Sequence, residues 1–184
     1  RETMTFVARK PKSSEALASR PWVRYRNDAG IPSGVHLERP IEHPDPKVSV
    51  LIPTSDGARE GYLPGLLEQL KSQDLQGMEV LVVVGDNRQG RALNTAADLA
   101  RGEILVTLDD DSRLADNSTL SRLVAALRAH PEVGMAGGSN QPPPDARGLV
   151  RRVMEEIPRR SSPLVEAVTD SDMAEHTCLA MPRE

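Results

Sequence analysis

Between Val48 and Gly138, short apolar runs alternate with amphipathic stretches, and few folds can absorb that alternation. The runs are Val48–Thr54, Met78–Val84, Ile104–Leu108 and Val133–Gly138, and the first three are rich in Val, Ile and Leu. Apolar runs of this length suit strands buried on both faces of a sheet. After the first run, Leu63, Leu66, Leu67 and Leu70 recur at the spacing of one helix face, with Pro64 in the first turn, where a missing amide is tolerated. Ala92, Ala96, Ala97 and Ala100 give a second helix, roughly Gln89 to Arg101, a face of small residues that can lie close to a sheet. Leu120, Leu123, Val124 and Leu127 mark a third, with Asn117 or Ser118 as its cap and Pro131 as its stop. Alternation of this kind predicts an α/β fold: a Rossmann-like, mostly parallel sheet flanked by helices. Val150, Val153, Met154 and Ile157 suggest one more amphipathic helix, with Arg147, Arg151, Arg152, Arg159 and Arg160 as a basic flank; a solvated face is the plainer reading of that flank. Thr177–Met181 reads as a last strand.

Residues 1–47 differ in character from the rest of the chain. Six prolines, Pro11, Pro21, Pro32, Pro40, Pro44 and Pro46, punctuate a polar stretch. Proline removes an amide donor and fixes φ, which predicts an irregular N-terminal arm with short local elements, anchored by Trp22 and Tyr25, ahead of a domain over residues 48–184. Aromatic residues are 2% of the chain, which argues against stacking platforms for single-stranded nucleic acid, and a net charge of −4 argues against nonspecific binding to a polyanion. Cys178 is the lone cysteine, so neither an intramolecular disulfide nor a cysteine-rich zinc site is expected. No apolar run approaches the ~18 residues of a membrane span, so a cytoplasmic protein without a membrane span is expected, with peripheral association left open.

The strand ends carry the chemistry. The third run passes directly into Asp109-Asp110-Asp111. Like charges this close raise one another's pKa unless a cation neutralises them, and a divalent metal holding a polyphosphate would do so. The bland alternative is a solvated acidic turn. In a parallel sheet the carboxyl ends converge on one edge. That edge would gather Pro53-Thr54-Ser55, Gly85-Asp86-Asn87, the three aspartates and Gly137-Gly138. A hydroxyl, an acid, an acid cluster and bare backbone suit a nucleotide, and Arg88 and Arg91 could meet a phosphate. No G-x-G-x-x-G follows the first strand and no G-x-x-x-x-G-K-[ST] occurs, so neither a nicotinamide cofactor nor a P-loop is expected.

Five segments in order, VSVLIPT (48–54), EVLVVVGDN (79–87), GRALN (90–94), ARGE (100–103) and LDDD (108–111), resemble glycosyltransferase family 2. The resemblance implies a GT-A fold and transfer of a sugar from a nucleotide-diphosphate donor to an acceptor hydroxyl, usually with inversion and with Mg2+ or Mn2+. It implies that Pro53, Thr54 and Asp86 hold the nucleoside side of the donor. Asp109-x-Asp111 falls on the family's D-x-D motif, with Asp111 as metal ligand and Asp109 or Asp110 on the ribose or the metal. Arg91 and Asn94 fall in the helix near the donor. A late histidine coordinates metal in some related transferases, which makes His176 a further candidate; a histidine hydrogen-bonded within a strand is its plainer reading.

Two departures stand out. Where many members have an aspartate pair after the second strand, this chain has Gly85-Asp86. The family's general base is a carboxylate beyond a strand resembling His176–Met181, which places it downstream of Glu184 and predicts a domain truncated at its C-terminal side. Two other readings therefore stand beside a metal-dependent glycosyltransferase. One is a non-catalytic nucleotide-sugar-binding or scaffold domain. The other is a nucleotidyltransferase, for which the glycine-and-basic loop Pro53–Arg59 supplies a faint signature.

Overall fold

The computed structural model describes residues 5–9, 34–139, 142, 145–156, 169–170 and 177–183. In chain order the strands are β1 (Thr5–Arg9), β2 (His36–Ile41), β3 (Val48–Thr54), β4 (Met78–Val84), β5 (Ile104–Leu108), β6 (Val133–Gly138), β7 (Thr169–Asp170) and β8 (Cys178–Pro182). The helices are α1 (Tyr62–Lys71), α2 (Gln89–Leu99), α3 (Thr119–Ala129) and α4 (Gly148–Glu156). All the strands join one sheet in the order β2-β4-β3-β5-β8-β6-β1-β7.

The alternation of side chains along each strand sorts the core into two layers. Val48, Val50 and Ile52 of β3, Met78, Val80 and Val82 of β4, and Ile104, Val106 and Leu108 of β5 pack with Leu63, Leu66 and Leu70 of α1 and with Leu120, Leu123, Val124 and Leu127 of α3. On the opposite face, Leu51, Leu81, Val83 and Leu105 meet Ala92, Ala96 and Ala100. Larger side chains at those alanines would collide with a sheet face that is already filled.

The sheet is mixed rather than mostly parallel. β3 is parallel to β4 and to β5, as the alternation requires. β8, however, enters antiparallel between β5 and β6, and β1 and β2 pair antiparallel with β6 and β4. Residue periodicity reports which face a strand buries, not the direction of its neighbour, so the insertion of β8 left no trace in the pattern. Within the N-terminal arm the short local elements described are two strands, residues 5–9 and 36–41, and both join the sheet. Pro40 lies in β2, the outermost strand beside β4, where the register shifts between Glu38 and Ile41. An edge strand tolerates a residue that cannot donate to a ladder. Trp22 and Tyr25 lie outside the described residues.

The topology also sets where a ligand can enter. The chain leaves β3 toward β4 on one side and leaves β5 toward β6 on the other. The loops after β3 and β5 therefore diverge, and a crevice opens at their carboxyl ends.

Candidate functional site

That crevice is a cleft of about 340 Å³. Pro53 and Thr54 at the end of β3 line it with Ser55 and Arg59 of the segment that follows; the turn after β4 contributes Asp86 and Asn87, the start of α2 contributes Gln89, and the turn after β5 contributes Asp109, Asp110 and Asp111. Thr54 is buried, and its hydroxyl accepts the Gly57 amide at 3.2 Å.

Position 85 has no room for a second acid. Gly85 has φ of +92°, and a Cβ there would lie 2.7 Å from the carbonyl oxygen of Gly34. The close approach of the chain entering β2 thus accounts for a glycine where an aspartate pair was expected. Asp86 is 4% exposed. Its Oδ1 accepts the Arg88 amide at 2.9 Å and Arg91 Nη2 at 2.7 Å, and its Oδ2 accepts Arg91 Nε at 2.5 Å. Arg91 holds the Asp86 carboxyl below the usual carboxylate range, with the Arg88 amide adding to the effect against the opposing push of burial. Arg91, read from the sequence as a cation for phosphate, is committed in this structure to Asp86. Asn94, on the same helix, is exposed and is not among the residues lining the cleft.

The acid cluster is held by partners on three sides. Gln89 Nε2 donates to Asp109 Oδ1 at 2.9 Å. The Asp109 amide donates to the Thr177 carbonyl at 3.3 Å, and the Ser112 hydroxyl donates to the same oxygen at 3.2 Å, so the start of β8 buttresses the turn. Arg59 Nη2 donates to Asp111 Oδ2 at 3.2 Å, and its Nε lies 3.5 Å from Asp110 Oδ1. The hydrogen bond to Asp111, with the charges of Asp110 and Asp111 behind it, holds the Arg59 guanidinium above its ordinary pKa. Burial, and secondarily the charge of Asp109, pushes the neighbouring Cys178 thiol up to about 12, so it is a neutral thiol and no nucleophile near neutrality.

The sequence reading placed neither Arg59 nor Gln89 at the acid cluster: Arg59 entered only as the basic end of the loop Pro53–Arg59, and Gln89 only as the start of a helix. Arg59 lies on a loop of glycines and polar residues with no periodicity, and only folding carries it across to β5. His176 lies outside the described residues. Among the described residues, no group of three or more His, Cys, Asp and Glu side chains is arranged to hold a metal ion. A donor set of one or two carboxylates completed by phosphate oxygens is nonetheless the usual one for Mg2+. Asp109 and Asp111 in an open cleft fit such a partial set.

The family model for glycosyl transferase family 2 matches residues 82–183, more than half of the chain. The chain belongs to glycosyl transferase family 2. The matched span takes in Asp86, the acid cluster and β8. Among solved structures, the chain is similar to the mannosyltransferase PcManGT from Pyrobaculum calidifontis in complex with GDP-Man and Mn2+. The two are 21% identical with a TM-score of 0.52, over 91% of this chain and 49% of that one. The chain thus spans about half the length of that mannosyltransferase and shares its GT-A-like fold. A comparison with curated proteins found no match. Among the described residues no helix is long and apolar enough to cross a membrane.

Proposed function

We propose that the cleft is the donor site of a glycosyltransferase that moves a sugar from a nucleotide diphosphate to an acceptor hydroxyl with inversion. The observation that carries this reading is the meeting of Thr54, Asp86 and Asp109–Asp111 around one open volume in a chain of this family. Thr54 and Asp86 hold the nucleoside. Asp86 suits the role because Arg91 keeps it ionised and fixed, while carboxylate oxygens retain lone pairs for a ribose or base donor. Asp111 and Asp109 would hold Mg2+ or Mn2+ against the diphosphate, and such an ion, when bound, stabilises the charge on the departing diphosphate as a Lewis acid. In the reaction the acceptor oxygen bonds to the anomeric carbon as the bond from that carbon to the phosphate oxygen breaks, and the acceptor proton passes to a base. The protein is expected to act in the cytoplasm, with peripheral membrane association left open.

Calorimetry with UDP and with GDP, each with and without Mn2+, tests the assignment. We expect binding of one of them that requires Mn2+ and is lost in Asp111→Ala. Binding indifferent to both the metal and that substitution would sink the donor site. Release of sugar from a bound donor then separates a transferase from a domain that only binds.

A further inference from the structure

Arg59 is the one cation among the described residues lining the cleft, set against the four carboxylates of Asp86, Asp109, Asp110 and Asp111. We infer that Arg59 is a resident counterion of the acid cluster that hands Asp111 to an incoming divalent cation and then binds the diphosphate. The inference rests on the donor-site reading above.

Three observations support it. First, the guanidinium faces two adjacent carboxylates, 3.2 Å from Asp111 Oδ2 and 3.5 Å from Asp110 Oδ1, so a cation seeking Asp111 must compete with it. Second, the backbone is bent to bring it there. Arg59 and Glu60 have φ of +45° and +55°, between Gly57 at +74° and Gly61 at +92°. Two consecutive side-chain-bearing residues in the left-handed region carry a steric cost. Asp56 Oδ1 holds the turn by accepting the amides of Ala58 and Arg59 at 2.9 and 2.8 Å. Third, Arg91 is occupied by Asp86, which leaves Arg59, half exposed and on a surface loop, as the lining cation able to change partners. A guanidinium gives a diphosphate two parallel hydrogen bonds, so the exchange offers Arg59 a strong new partner.

Metal and nucleotide should then bind with positive coupling, and the coupling must be reciprocal. In the wild-type chain, Mn2+ alone, followed by the paramagnetic resonance of the free ion, binds weakly and tightens when the nucleoside diphosphate that binds is added. In Arg59→Ala the two affinities move in opposite directions. Mn2+ alone binds about three- to fivefold more tightly, because an exposed ion pair no longer competes. The diphosphate at saturating Mn2+ binds about tenfold more weakly or worse, because a charge-assisted pair is lost. Arg59→Lys keeps the charge without the fork and recovers part of the nucleotide affinity. Equal affinities in wild type and Arg59→Ala, or weaker Mn2+ binding in the variant, would overturn the inference while leaving the donor site standing. Failure of the wild-type chain to bind UDP or GDP with Mn2+ would remove the donor-site reading and this one with it.

Discussion

The two ends of the parallel strands use the same chemistry for opposite purposes. At the amino end, Glu79 of β4 is fully buried. Its Oε1 accepts the Ser49 hydroxyl and the Arg101 amide, both at 2.7 Å, and its Oε2 accepts Arg39 Nη1 at 2.7 Å and two nitrogens of Arg101 at 2.9 and 3.1 Å. The two arginines reach on to the carbonyls of Leu99 and His43, so one carboxylate ties β2, β3, β4 and the end of α2 together. At the carboxyl end, Asp111 is half exposed and shares Arg59 with Asp110. A buried carboxylate with every lone-pair direction used has nothing left for a ligand. A half-exposed one whose cation sits on a surface loop can exchange it. Saturation, not residue type, separates the structural acid from the candidate binding acids: Asp86 is as buried as Glu79, but its Oδ2 accepts a single donor and keeps a lone pair free.

The largest expected effect comes from breaking the closed end. Glu79→Ala removes the common acceptor of two arginines, a serine and an amide, and should cost about 3 kcal/mol in urea unfolding, since it leaves the buried Ser49 hydroxyl and the Arg101 amide without an acceptor. Gly102→Ala should come next, at about 2 kcal/mol by overpacking. Its Cβ would lie 2.7 Å from the Ser49 nitrogen and from the Val48 carbonyl carbon, both of them backbone. A smaller loss, about 1 kcal/mol, is expected for Asp116→Ala. The sequence pointed to Asn117 or Ser118 as the cap of α3, but Ser118 makes no side-chain cap bond, and Asp116 instead gathers the Ser118 amide, the Thr119 hydroxyl and the Arg122 guanidinium. Asp111→Asn, at the open end, should leave the unfolding midpoint within error while removing Mn2+-dependent nucleotide binding. A large stability loss there would erase the contrast between the two ends.

Acid should act on the closed end in a defined direction. Burial pushes the Glu79 carboxyl up, but the Ser49 hydroxyl and the Arg101 amide and guanidinium outweigh it and hold it below the usual carboxylate range. Asp86 is lowered in the same sense, by Arg91. A carboxyl whose folded pKa is lowered contributes stability that is full above the unfolded value of about 4 and is lost as the pH falls through the folded one. Unfolding free energies measured from neutrality down to acid should therefore decline below about pH 4, and Glu79→Gln should flatten that decline. An unchanged slope in the variant would mean the Glu79 network is not what acid breaks.

Helix faces and buried strands followed from local pattern, because the spacing of apolar side chains is set by helical and extended geometry themselves. The run Ile104–Leu108 and the three acids after it were legible for the same reason: a strand and its end lie in one segment of chain. The resemblance carried by VSVLIPT and LDDD reached the family for a related reason, since those segments are continuous. Arg59 in the cluster, Gly34 against Gly85 and β8 between β5 and β6 were not legible. Each joins positions that are distant in sequence or depends on the direction of a connection, and neither periodicity nor spacing carries that information. Local sequence thus set the elements and placed three carboxylates at a strand end. Tertiary packing decided which acids are closed by partners and which remain open to a ligand, because burial and the count of donors around a carboxylate arise only when separate strands and loops meet.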